Sequence, residues 1–158
     1  RAIASRLAPS DRLIVASFAA ELRLWSDDRV EETALAAPQG FVPRGPTNLE
    51  PALDALLASL PTPSELVILT DGTPSLSDVN ATSARCVARG VQVHVVRSGA
   101  GDASLESLAG ATGGSVFRAD APAALPRAAD GLVDRLRATT PRPSPVRFDP
   151  PLDRLGTR

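Results

Sequence analysis

Three short, almost unbroken apolar runs, set between segments with apolar residues at helical spacing, constrain this chain more than any other feature. The runs are Leu13-Ile14-Val15-Ala16-Ser17-Phe18, Leu66-Val67-Ile68-Leu69 and Val91 to Val96. A strand that is apolar on both sides must be covered on both sides, as strands of a parallel sheet between helices are. The intervening segments supply the cover. Leu49, Leu53, Leu56, Leu57 and Leu60 lie on one stripe of a helix predicted over Asn48 to Leu60, which Pro61 and Pro63 end. A second helix is predicted from about Asp78 to Arg89, ended by Gly90, and a third runs through Leu105, Leu108 and Ala109 to Gly113-Gly114. After a short strand at Ser115 to Arg118, a last helix carries Leu125, Ala129, Leu132, Val133 and Leu136 on one face. Alternating strands and helices imply an α/β fold: a doubly wound, mostly parallel sheet with helices on both faces. Glu21-Leu22-Arg23-Leu24-Trp25 alternates polar and apolar, so it is expected as one antiparallel edge strand in a hairpin with its predecessor.

Composition removes several classes of function. With 158 residues the chain has one domain's worth of length, and its formal net charge of -1 gives no global field for nucleic acid or an anionic membrane. All basic residues are scattered arginines, and aromatics make up only 3%, so no stacking platform for bases is offered. One cysteine, Cys86, excludes a disulfide framework and a cysteine zinc site; it reads as a small core residue. The single histidine, His94, cannot by itself build a histidine metal site, and it reads as a hydrogen-bonded structural residue facing away from Val93 and Val95. No apolar run reaches the ~20 residues of a membrane span.

The rest of the chain is punctuation. Residues 1–8 read as the end of a helix, residues 26–46 as a long loop, and the Pro-rich stretch from Thr139 as a polyproline linker. The expected division is a domain over 1–138 and a linker, or the start of a further segment, over 139–158. There is no Met, and the chain opens on Arg1 in a helix-like segment, so the sequence reads as a fragment. Thr47 and Glu50 form a T-x-x-E capping box for the helix that follows, a reading that needs no ligand.

In doubly wound sheets ligands bind beyond the carboxyl ends of the strands. The places to look are therefore Asp71, Ser98 to Asp102 and the loop before Thr47. Gly99-Ala100-Gly101 follows a strand as a phosphate loop would, but Asp102 places negative charge where the phosphate would sit. Four stretches in order carry a resemblance: Asp11 to Phe18; Gly45-Pro46-Thr47-Asn48-Leu49; Leu66-Val67-Ile68-Leu69-Thr70-Asp71-Gly72; and Leu105-Glu106-Ser107-Leu108-Ala109 leading to Gly113-Gly114. Together they resemble the von Willebrand factor A-type (vWA) domain in its bacterial form, over about residues 1–138.

The resemblance implies a protein-binding module with a metal-ion-dependent adhesion site at the strand tips. Thr47 and Asp71 match the family's threonine and aspartate ligands. The Asp-x-Ser-x-Ser motif that completes the site is absent; Ser75, Ser77 and Asp78 are similar in composition but follow Asp71, in a different loop. Mg²⁺ is thus implied only if that motif is supplied upstream. The hard ion would take oxygen ligands and leave a position for a partner's carboxylate. The family's first strand lies between the strands assigned to 12–18 and 65–70, so an empty central slot is expected here. The implied partner is a protein, with no nucleic acid and with membrane contact only through other segments; a cytoplasmic or membrane-associated location is equally compatible.

Two alternatives use the same architecture. One is a scaffold subunit of an ATPase or metal-chelatase assembly, with the ATPase as a partner because this chain has no P-loop. The other is a phosphatase-like hydrolase, since Leu69-Thr70-Asp71-Gly72-Thr73 resembles an Asp-x-Asp-Gly-Thr signature. Leu69 stands where that scheme needs its nucleophile, so the residues favour a non-enzyme.

Overall fold

A computed structural model describes residues 8, 12–19, 21–29, 48–70, 74, 76–98, 103–119 and 121–139. The expected α/β architecture is present. Strand β1 (Arg12–Phe18) and strand β2 (Leu22–Arg29) form an antiparallel hairpin. Helix α1 (Leu49–Ser59) leads to β3 (Ser64–Thr70), α2 (Val79–Ala88), β4 (Val91–Ser98), α3 (Ala103–Ala111) and β5 (Val116–Ala119). A short 3-10 turn at Pro122–Ala124 then opens α4 (Leu125–Thr139). Strands β3, β4 and β5 are parallel and lie in that order, with β4 in the middle. Among the described residues the hairpin and this three-stranded sheet are separate sheets, and β1 makes no ladder with β3.

Burial explains the four valines of β4. Val91, Val93 and Val95 point into the larger core, against Leu49, Leu53 and Leu57 of α1, Cys86 of α2 and Leu105 and Leu108 of α3. Val96 points to the other side, where it meets Leu132 and Leu136 of α4 together with Val67 and Phe117. Helices therefore cover both faces, as the two-sided apolar runs require. Each leucine buried in this way contributes about 2 kcal/mol of transfer free energy. Ile14 and Phe18 of β1 pack on the larger cluster, so the hairpin shares a core with the three-stranded sheet although no ladder joins them.

The helix ends follow from local chemistry. Asp78 caps α2 by accepting the Ala81 N–H at 2.9 Å, and Gly90 leaves that helix with φ +61°. At the end of α3, the Gly113 N–H bonds the Gly110 carbonyl and the Gly114 N–H bonds the Ala109 carbonyl. These are the two bonds of a Schellman motif, with Gly113 at φ +76° in the left-handed position.

Two expectations are corrected. Residues 26–29 are not loop: they continue β2, paired to residues 12–15, and Arg12 holds Asp27 through a two-pronged ion pair at 2.6 and 2.7 Å. A bulge between Val15 and Ala16, opposite Trp25, interrupts the alternation that would have carried the strand reading further. The T-x-x-E capping box is corrected on its Glu50 side, Thr47 lying outside the described residues. The N-cap of α1 is Asn48, which makes no side-chain cap bond, and the Glu50 carboxylate is engaged elsewhere. Asn48 is fixed instead by its backbone N–H, which donates to the Ala19 carbonyl at 3.0 Å at the end of β1.

Candidate functional site

The carboxyl ends of β1, β3, β4 and β5 define one rim of the fold, marked by Phe18, Thr70, Ser98 and Ala119. Thr47 and Asp71, the two residues expected to ligate metal, both lie outside the described residues, as do Ser75 and the 99–102 segment. The structure does describe the residues that flank them.

Glu50 stands in the first turn of α1, three positions after Thr47, where the helix dipole favours a carboxylate. Its Oε2 accepts both the backbone N–H of Ser77, at 3.0 Å, and the Ser77 hydroxyl. These bonds pull the Glu50 carboxyl below its ordinary value, with a smaller contribution from Arg85, which lies 3.7 Å from its other oxygen. Arg85 also reaches Asp54 at 3.1 Å and the Thr82 hydroxyl at 3.1 Å, so α1 and α2 are laced together behind this point. The effect is to pin the start of α1 to the loop after β3. These are the two segments to which Thr47 and Asp71 belong.

Glu50 is thus a connector, and its own charge state should be readable in solution. A group with a lowered folded value stabilises the fold above its unfolded value, and this stabilisation is lost as pH falls through the folded one. The window lies below the ordinary Glu value of 4.5. Urea midpoints measured between pH 6 and 3 should fall in that window for the native chain and fall less steeply for Glu50→Gln. Equal slopes would show that the Ser77 bonds do not couple Glu50 to folding.

A second charged cluster lies on the same rim. Arg97, near the end of β4, is buried, and its Nη2 donates to Glu106 Oε1 on α3 at 2.9 Å. Arg118 of β5, which is exposed, donates to the same oxygen at 2.6 Å. One carboxylate therefore ties β4, α3 and β5 together beside the 99–102 segment. The sequence contained a signal for this: Arg97 stands in a valine-rich strand, and a buried guanidinium demands a carboxylate partner. No reading of spacing alone identified Glu106 as that partner.

Among the described residues, no group of three or more His, Cys, Asp or Glu side chains is placed to hold a metal ion. The acidic side chain closest in sequence to Thr47, Glu50, is already taken by Ser77 and Arg85, and Asp78 is taken as a helix cap. No helix among the described residues is long and apolar enough to cross a membrane.

Comparison with solved structures places the fold. The chain superposes on a von Willebrand factor type A protein from Catenulispora acidiphila with a TM-score of 0.64 and 16% identity, over 84% of this chain and 35% of that one. It superposes on proximal thread matrix protein 1 from the mussel byssus with a TM-score of 0.66 and 15% identity, over 85% of this chain and 38% of that one. A second structure of the same byssus protein gives 0.65 at 16% identity. This chain spans little more than a third of the length of each of them. No protein-family model and no curated protein matches the sequence.

Proposed function

We propose, on the premise that this chain has the fold of von Willebrand factor A-type domains, that it is a non-enzymatic protein-binding module working from the strand-tip rim. The observation that carries this reading is the likeness in fold over 84–85% of the chain. One of the similar structures is a matrix protein of the mussel byssus. The Glu50–Ser77 bonds support the reading by tying the start of α1 to the stretch that leads from β3 into α2. A phosphatase-like reading is disfavoured because Leu69, the position its nucleophile would need, is a leucine with 53% of its surface exposed at the end of β3.

Thr47 and Asp71 would hold Mg²⁺, and the ion would supply an open coordination position for a carboxylate of the partner. Both are hard oxygen donors, and the neighbouring acids Glu50 and Asp78 are already engaged, by Ser77 and as the cap of α2. On a chain extended upstream to carry an Asp-x-Ser-x-Ser segment, titration with MgCl₂ by calorimetry should give a binding signal that Asp71→Ala removes. An extended chain that gives no signal, or an Asp71→Ala chain that keeps it, overturns the metal bridge. Binding to partners through protein surface alone is then the surviving form of the proposal.

A further inference from the structure

His94 sits at the middle of β4 with 1% of its surface exposed, and both ring nitrogens are engaged. Nδ1 receives the backbone N–H of Ser115 at 3.1 Å. A backbone N–H can only donate, so Nδ1 carries the lone pair and the ring proton is on Nε2. Nε2–H then donates to Glu65 Oε2 on β3 at 2.7 Å. The neutral ring thus spans three pieces of chain: β3, β4 and the turn that enters β5.

A second proton has one place to go, Nδ1, where the Ser115 N–H already points. Two donors would then face each other, and the Ser115 amide would have to leave. Glu65 Oε2, at 2.7 Å, holds the Nε2 proton in place, so the second proton is not accommodated by a change of tautomer. We propose that His94 is an acid-released latch that holds β5 on the sheet at neutral pH and frees it when the ring is protonated.

What the latch holds is small. The turn from α3 into β5 is fastened to β4 by the Thr112 hydroxyl, which accepts the Val93 N–H at 3.0 Å, by the Val95 N–H donating to the Ser115 carbonyl at 2.9 Å, and by His94. Beyond it, β5 has four residues, and among the described residues β4 is its neighbour in the sheet. Release of β5 also loosens Phe117 from α4.

The charges that face the ring come from few directions. From β3 it is Glu65. The turn contributes Ser115, which is uncharged, and Arg118 of β5 pairs in register with Arg97 on the opposite side of the sheet, against Glu106. Helix α4 covers the histidine side with Leu132 and Leu136; its Asp134 and Arg135 are exposed and its Asp130 is half-buried.

Amide hydrogen exchange by NMR tests the latch between pH 8 and 5, corrected for intrinsic rates, with the His94 ring followed in parallel. Exchange at Ser115, Val116 and Phe117 should accelerate at least tenfold in step with ring protonation, while amides of β3 and β4 keep their protection. Ring protonation that leaves these amides unchanged overturns the proposal, as does a uniform loss of protection across the domain. His94→Gln offers an acceptor and a donor that do not titrate, and should leave β5 protected at all these pH values.

Discussion

Gly114→Ala is expected to lower the stability of the fold by about 3 kcal/mol, a drop in Tm of about 6–12 °C for a domain of this size. The reason is space. A Cβ built on Gly114 would lie 1.9 Å from the Val93 carbonyl oxygen and 2.6 Å from its carbon. Neither atom belongs to a side chain that could turn aside. Val93 is fully buried in the middle of β4, so the turn would have to back away and carry Ser115 and β5 with it. Gly113, its neighbour, supplies the control. A Cβ there meets nothing within 4 Å, and the cost is only that of a left-handed backbone at φ +76°. Gly113→Ala should therefore lose about 1 kcal/mol. Thermal unfolding followed by circular dichroism separates the two, and equal losses would mean that the close approach to Val93 does not govern this turn.

Leu108→Ala should also cost about 3 kcal/mol. Leu108 has no exposed surface and lies on α3 within the cluster that joins α1, α2, α3 and β4. Four elements meet there, so the site cannot collapse by moving one of them, and most of the cavity term is retained. Val87, on α2, is the matched control, because 57% of its surface is exposed. Val87→Ala should change stability by no more than about 0.5 kcal/mol. Urea titrations at constant pH give both values, and a Leu108→Ala chain as stable as Val87→Ala would place the core elsewhere.

The parts of the fold that were legible in the sequence are those set by one residue's own chemistry. Leucines on one stripe announce a helix, the closely spaced valines of β4 announce a buried strand, and Gly90 and Gly113-Gly114 announce helix ends. His94 and Cys86 were also read correctly as a structural residue and a core residue. What escaped depends on distant partners. The partner of Glu50 was missed because Ser77 offers it two donors from 27 residues away. The length of β2 was missed because Ser26 and Asp27 look like loop until Val15 and Ile14 are seen opposite them. The tie of Arg97 and Arg118 to Glu106 is likewise invisible until α3 is laid beside β4 and β5. Of the candidate site, the residues framing the rim are described, while Thr47 and Asp71 lie outside the described residues.

The hairpin has an optical consequence. Trp25 is the sole tryptophan and there is no tyrosine, so the near-ultraviolet emission of the chain comes from a single place. That place is the β1–β2 pair, where the indole N–H donates to the Ser17 hydroxyl at 2.7 Å and the Arg23 guanidinium lies 4.1 Å from the ring centroid. Fluorescence therefore watches the two-stranded sheet alone, while far-ultraviolet ellipticity is dominated by the helices packed around β3, β4 and β5. The two signals compare the melting of the two sheets within one sample: superimposable curves mean the shared core makes them one cooperative unit, and separated curves mean it does not.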